Sequence, residues 1–442
     1  MQTDSTIPSR RSFLRKGSIA GAGVSAFTII KPELVRGAGN EKLKAGVVGC
    51  GGRGTQAVVD LLTGSQNVDV VAMADAFEDK LEGSLRRLRA HKESGKWGDR
   101  LKVDPEHRFV GFDAFKKLVN SGVDIVMLAT PPGYRPEHFE AAVNAKKHVF
   151  CEKPFGTDPV GVRRFMTAAR KSEEMKLTVV TGAQRRFARD YQETVEKINS
   201  GAIGDIVATY AYWVGTPVVQ QKAGRNPKWG DMEWQHRNWY SYVWICGDQI
   251  VEQHLHNIDV CNWIMGTHPV KVVATGGAIW RPKTEVYGNI YDHISADFEY
   301  PNGVRMSSYC RQFPRDRNSE IHTNISELIV GTKGRSNAHD LGTGSGQDVR
   351  TSFRDPLENP YVREHTAMVA SIRGDGPYIN HAMAVAESTM TCIMGRESAY
   401  SGLEITWDMI MNSKQDLQPK QFGYDLKMEV PPLPVPGEYK FV

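Results

Sequence analysis

The chain has 442 residues, 40% of them hydrophobic and 24% charged, which is ordinary globular usage with enough apolar material for two or three domains. The net charge of +4 comes from the first 38 residues, where six Lys/Arg face two acids. The balance of the chain is neutral, which leaves no electrostatic footprint for nucleic acid or an anionic membrane. No apolar run reaches the about 18 residues of a membrane span. The six cysteines (Cys50, Cys151, Cys246, Cys261, Cys310 and Cys392) form no C-x-x-C pair and read as buried or free thiols, with no metal site.

Residues 1–38 read as a leader. Arg10-Arg11 with Phe13-Leu14 precede a weakly apolar stretch from Gly17 to Ile30, and Lys31-Pro32 breaks it. Basic region, apolar region and breaker follow the layout of a signal peptide. The arginine pair resembles a bacterial twin-arginine signal, which implies export to the periplasm of an already folded, cofactor-loaded protein. Ala38 is a candidate cleavage edge.

Behind the leader, residues 43–49 read as a buried strand, 55–63 as a helix, and 68–74 as a second strand ending at Asp75. Residues 78–93 are helical, 124–129 form a strand before Thr130-Pro131-Pro132, 137–145 a helix, 148–151 a strand, 160–171 a helix and 177–181 a strand. Strands alternating with helices predict a doubly wound parallel sheet over 40–182. Beyond 182 the pattern changes. A helix over 191–199 and a strand over 206–213 lead into a Trp- and Pro-rich loop, 216–243. A helix over 247–265 and strand-like runs at 270–280, 291–300, 303–312 and 325–331 follow, with a hairpin turn at Pro301-Asn302-Gly303. Residues 333–347 read as a Gly/Ser-rich loop, 365–373 and 382–400 as helices, and the last 25 or so residues as a Pro-rich surface tail. The fold class is therefore α/β: a doubly wound parallel sheet, then an α+β domain over 183–442 with a large open, mostly antiparallel sheet for substrate binding and oligomerisation.

Gly49-Cys50-Gly51-Gly52-Arg53-Gly54 fits G-x-G-x-x-G, placed after a strand and opening a helix. Glycine lets the backbone turn tightly and approach a pyrophosphate at the helix N-terminus. Asp75 lies 21 residues past Gly54, where an acid accepts bonds from the ribose hydroxyls; a carboxylate there repels a 2′-phosphate, so NAD is expected over NADP.

Ala129-Thr130-Pro131 with His138, then Glu152-Lys153-Pro154, Gln184-Arg185-Arg186-Phe187, Ser200-Gly201-Ala202-Ile203-Gly204 and Gly331-Thr332-Lys333-Gly334 complete an ordered set. Together with the glycine fingerprint, it resembles the glucose–fructose oxidoreductase / inositol dehydrogenase (Gfo/Idh/MocA) family over roughly residues 43–400. The resemblance implies a tightly bound NAD, with Lys153 beside the nicotinamide and the reacting hydroxyl, Glu152 on the cofactor side and a Lys153–Pro154 bond that is often cis.

Within Gly247–Asp259, Glu252, His256 and Asp259 fall at i, i+4 and i+7 on one helical face, which Gln249 and Trp263 extend. The family pattern D-x-x-x-H-x-x-D implies that His256 takes the hydroxyl proton, with Glu252 standing where the family usually has Asp. His254 points to another face and makes a poor metal set with His256. Trp213, Trp229, Trp234, Trp239, Tyr240 and Trp244 offer either carbohydrate platforms or core and dimer contacts.

The expected cofactor contacts are Gly49, Gly51, Gly52, Arg53, Gly54, Asp75, Thr130, Pro131, His138, Glu152 and Lys153. The expected catalytic residues are Lys153, His256 and Glu252; Arg186, Trp239, Tyr240 and Asp259 join them around the substrate. The expected activity is NAD-dependent hydride transfer at a ring hydroxyl of a sugar or glycoside, in a homo-oligomer (dimer or tetramer). Two alternatives remain at this point. One is a redox-cycling glycoside hydrolase or lyase, for which Tyr240, Tyr242, Glu233 and Asp231 are candidate second acid–base groups. The other is a non-catalytic sugar-binding protein.

Overall fold

Short apolar runs settle as strands where both faces find cover. In the computed structural model, which describes residues 41–217, 224–281, 284–314, 321–341 and 356–442, six such runs form the first sheet. They are β1 (Leu43–Val48), β2 (Val68–Asp75), β3 (Arg108–Val110), β4 (Ile125–Leu128), β5 (His148–Cys151) and β6 (Val179–Thr181). All pair in parallel, in the order β3-β2-β1-β4-β5-β6. The chain order reverses between β1 and β4, and ligands of such sheets bind in the crevice at the carboxyl ends there. The stretch expected to be a leader and parts of the 216–243 and 333–347 loops lie outside the described residues.

One face of this sheet packs Phe115, Leu118, Phe139, Val143, Val162 and Phe165 from the helices Ala114–Val119, Arg135–Asn144 and Pro159–Glu174. The other face packs Ala57, Leu61 and Leu62 from helix Gly52–Gly64 and Leu81 and Leu85 from helix Glu78–Arg89. That second face is completed from far along the chain: Met368, Val369 and Ile372 of helix Pro360–Arg373 join the same core as Leu43, Phe150 and Val180.

The second sheet holds seven strands: β7 (Ile206–Gly215), β8 (Lys271–Gly277), β9 (His293–Glu299), β10 (Arg305–Gln312), β11 (Asn324–Gly331), β12 (Arg335–Ser336) and β13 (Ile405–Thr406). Their order is β12-β11-β7-β10-β9-β8-β13, with only the β7–β10 pair parallel. Helices Leu255–Met265 and Ala382–Ser401 cover one face. Ala382–Ser401 is buried almost all round, and its Gly395 lies so close to Phe298 that a Cβ would come within 2.9 Å of that ring.

Three expectations need correction. The stretch 216–243 is not simply a loop: Asp231–Arg237 and Val243–Cys246 are helical, with a tight turn at Trp239–Ser241 between them. The helix expected over 247–265 is interrupted. Gly247 and Asp248 have φ of 84° and 76°, the chain then makes a π-helical turn at Ile250–His254, and regular α-helix begins only at Leu255. The third, strand β3, was missed because three residues at a sheet edge leave almost no pattern to read. Arg396, fully buried in helix Ala382–Ser401, donates to the Thr157 and Gly247 carbonyls at 2.6 and 3.1 Å and so ties the loop after β5 to the break before helix Leu255–Met265. All six cysteines are buried and free, and among the described residues no helix is long and apolar enough to cross a membrane.

Candidate active site

The carboxyl ends of β1, β2, β4 and β5 open onto a cavity of about 870 Å³ whose opposite wall belongs to the second domain. The glycine loop forms one side. Gly49 has φ of 96°, and a Cβ on it would lie 2.7 Å from the Ala129 carbonyl carbon; one on Gly54 would lie 1.8 Å from the Gly49 oxygen. Those two glycines are required by the packing of the loop itself. Gly51 and Gly52 are different: a Cβ on either meets nothing within 4 Å. Both line the cavity at the start of helix Gly52–Gly64, where unpaired backbone N–H groups and the helix dipole suit a diphosphate.

At the end of β2, Asp75 Oδ2 accepts from the Cys50 N–H at 2.6 Å and Oδ1 from the Phe77 N–H at 2.9 Å. Burial raises its carboxyl above the usual range and the two N–H donors pull it back. Thr130 and Pro131 line the cavity, and the Thr130 hydroxyl sits 3.3 Å from His138 Nδ1. Burial, with Arg135 second, pushes His138 down to about 3, so it is neutral. Open glycines, a helix N-terminus and the acid at the end of β2, all lining one cavity, are the fittings for a dinucleotide.

Arg53 is fully committed within the protein: it pairs with Glu152, with Asp60 at 2.9 Å and with Glu364 at 2.8 Å. Its guanidinium also lies 4.8 Å from the Tyr361 ring. It therefore fixes the glycine loop to the segment after β5 and to helix Pro360–Arg373, and Gly182 leaves the space that the Glu152 carboxylate fills.

Lys153 precedes Pro154 through a cis bond, lines the cavity and is 8% exposed. Its Nζ donates to the Glu252 carbonyl oxygen at 2.6 Å and to Oε1 at 3.2 Å. Glu252 belongs to the π-helical turn, a backbone irregularity frequent at functional sites. Among the described residues, Glu252 Oε2 and His256 Nδ1 are buried without a hydrogen-bond partner. His256 lines the cavity with its ring stacked 6.0 Å from Trp213. Burial, then the charges of Lys153, Arg185 and Arg53, hold its pKa well below the ordinary histidine value, which keeps the imidazole neutral and able to take a proton. The two separate motifs thus meet: lysine, carboxylate and histidine converge on the glycine-lined cavity.

Trp239 also lines the cavity, but three other expected substrate residues do not. Asp259 forms a bidentate pair with Arg186 at 2.8 Å to both nitrogens and accepts from Ser388 at 2.8 Å. Tyr240 is buried, with its hydroxyl accepting from Gln312 at 2.8 Å. Arg186 and Asp259 satisfy one another instead of lining the cavity. His254 is buried against Ser308 of β10, away from the cavity. Arg185, His236, His339 and Tyr361 line the cavity without having been assigned a place, and Trp213, left open between platform and core, lines it too. Arg185 stood in a quoted motif and Trp213 in the aromatic run; nothing local marked the other three, which only the fold delivers.

Fold and site together define a two-domain class of dinucleotide-binding oxidoreductase. The NAD-binding Rossmann model of the oxidoreductase family GFO/IDH/MocA matches residues 43–181, and the C-terminal domain model of the same family matches 191–336. The chain belongs to the GFO/IDH/MocA family. It is 26% identical over 237 residues to a myo-inositol 2-dehydrogenase of Thermotoga maritima, covering 54% of this chain and 59% of that protein. It is 20% identical to an NAD(+)-dependent scyllo-inositol 2-dehydrogenase of Bacillus subtilis, covering 73% of this chain and 84% of that one. The chain thus spans less than two thirds of the Thermotoga relative. Among solved structures, scyllo-inositol dehydrogenase from Lactobacillus casei with NAD(H) and scyllo-inositol superposes with a TM-score of 0.61 at 20% identity, covering 83% and 99% of the two chains.

Proposed function

We propose that this chain is an exported NAD-dependent dehydrogenase that removes hydride from a ring hydroxyl of a sugar, glycoside or cyclic polyol and leaves a ring ketone. The observation that carries the reading is the convergence of Lys153, Glu252 and His256 on the cavity that the glycine loop lines. The inositol dehydrogenase relatives support the substrate class.

The nicotinamide, when bound, supplies the acceptor for the hydride. Lys153 donates from Nζ to the substrate oxygen and steadies its growing negative charge, while Glu252 holds the ammonium in place. His256 takes the hydroxyl proton as the carbon–hydrogen bond breaks and the carbonyl forms, a positioned base acting within hydrogen-bond reach. Its depressed pKa keeps it unprotonated beforehand. Trp213 and Trp239 offer apolar faces to a ring. Glu252 carries one methylene more than the aspartate usual in the family, which would shift the hydroxyl selected.

The redox-cycling hydrolase is less well supported, because its candidate second groups are engaged elsewhere. Tyr240 is bonded to Gln312, Tyr242 donates to the Glu285 carbonyl at 2.8 Å, Glu233 pairs with Arg237 at 2.8 Å and Asp231 with Arg225 at 2.6 Å. The test is incubation of enzyme and NAD with glycosides and inositols in D₂O, followed by NMR. A ring carbonyl beside an intact glycosidic bond, with NADH formed, is expected. Released aglycone with deuterium next to the oxidised carbon and no net NADH would overturn the dehydrogenase.

Export rests on Arg10-Arg11 and the apolar stretch behind them. Changing both arginines to lysine should hold a longer precursor in the cytoplasm, and unchanged periplasmic delivery would refute it. A homo-oligomer through the open face of the second sheet is supported by the exposed Val207, Val273 and Tyr309 on its strands.

A further inference from the structure

We propose that His236 reads the base of the dinucleotide, accepting a hydrogen bond on Nε2 from the exocyclic amino group of adenine. The proposal deepens the NAD reading and rests on it. His236 reaches the cavity from the second domain, on helix Asp231–Arg237, within the stretch that the sequence marks only as an aromatic loop.

Its tautomer follows from one contact. Nδ1 lies 2.5 Å from the Met232 carbonyl oxygen, which can only accept, so Nδ1 carries the hydrogen. Nε2 on the other side of the ring is then a lone-pair acceptor. It is buried and has no partner among the described residues, although the side chain lines the cavity. A buried acceptor left unpaired costs free energy unless a ligand supplies the donor. Burial also holds the ring at about 4, so the acceptor stays unprotonated in neutral solution.

The surroundings suit a flat heteroaromatic ring. Phe112 lies 5.1 Å and Tyr134 5.4 Å from the imidazole, and Phe77 6.2 Å. The Phe77 N–H donates to Asp75 Oδ1 at 2.9 Å, so this aromatic pocket adjoins the acid at the end of β2. Arg237 clamps the helix in place, bonding both oxygens of Asp79 at 2.9 and 3.1 Å with its guanidinium 4.1 Å from the Phe77 ring.

Adenine presents an amino donor at C6, whereas hypoxanthine presents a carbonyl oxygen, which would place acceptor against acceptor at Nε2. The experiment is calorimetric titration of the nucleotide-stripped full chain with NAD and with nicotinamide hypoxanthine dinucleotide. Wild type should bind NAD at least about tenfold more tightly. His236→Phe should bring the ratio near one, and so should His236→Gln, whose amide can turn either group to the base. Phe112→Leu should weaken both ligands and keep the ratio. Equal binding by wild type, or a ratio that survives in both His236 variants, would overturn the role of His236 while leaving NAD as cofactor. Binding of neither dinucleotide would overturn the cofactor reading, and this proposal with it.

Discussion

The two walls of the cavity are made by different means. The β1 wall is made of backbone: Gly49 and Gly54 are glycine because any Cβ would strike main chain, whereas a Cβ on Gly51 or Gly52 would meet only open space. The facing wall is made of side chains on a distorted helix, where Glu252 and His256 each bury a polar atom that has no partner among the described residues. The first wall is a short-range construction whose requirements are written in six consecutive residues. The second exists only once Lys153, the π-helical turn and Arg396 have been assembled from distant segments.

That contrast can be broken first at the glycines, where the largest effects are expected. Gly54→Ala should lower the melting temperature of the nucleotide-free protein and abolish NAD binding, because its Cβ would sit 1.8 Å from a backbone oxygen. Gly51→Ala should leave the melting temperature near that of wild type and weaken NAD by about tenfold, since its methyl meets only the space a diphosphate would fill. Differential scanning calorimetry with nucleotide titration separates the two. Equal loss of stability in both would deny the division between packing and cradle glycines.

On the facing wall, Lys153→Ala and His256→Ala should each lower kcat by about 10²-fold or more while NAD binding largely survives. Stopped-flow turnover with a separate binding titration measures both. Near-normal turnover in either variant would remove that residue from the chemistry.

The reach of the sequence follows the same division. The parallel sheet, the glycine loop, Asp75 and Lys153 were readable because their signals are local: an apolar run, a fixed spacing, a strand end. The break at Gly247-Asp248 was not, since a helical periodicity continues across it and only Arg396 and the Tyr291 and Tyr400 contacts to Asp248 explain why the chain turns there. Arg186 and Asp259 illustrate the other limit. Both are charged and well placed by spacing, yet they lie 73 positions apart and neutralise each other instead of lining the cavity. Helix Pro360–Arg373 completes the first domain's core, and sends Glu364 to Arg53, from a position that no local pattern links to it.

A smaller effect is expected in the pH profile of kcat/KM. His256 must be neutral to accept the proton, so activity falls as pH drops through its pKa in the free enzyme. Burial and the neighbouring Lys153, Arg185 and Arg53 charges displace that pKa downward. The acid limb should therefore lie below about 6.5, the unperturbed histidine value. An acid limb at or above neutrality in steady-state assays would contradict a buried, cation-flanked base.

The smallest effect sits at Asp75. Both its oxygens already accept a backbone N–H, from Cys50 and Phe77, yet each carboxylate oxygen retains a second lone pair for a ribose hydroxyl. A 2′-phosphate would bring like charge against it, while Lys80, which also lines the cavity, would attract that phosphate. Asp75→Ala removes the repulsion and leaves Lys80, but it also strands two N–H groups and loosens the loop. NAD should therefore weaken as NADP holds or improves, and their affinity ratio should narrow by about tenfold. Asp75→Asn separates the contributions: it stays polar and close in shape but carries no charge, so the ratio should narrow with less loss of NAD affinity. Fluorescence titration of both nucleotides against both variants gives the answer. A ratio unchanged in Asp75→Asn as well as Asp75→Ala would show that the preference is set elsewhere in the groove, and that the acid at the end of β2 serves only to fix its loop.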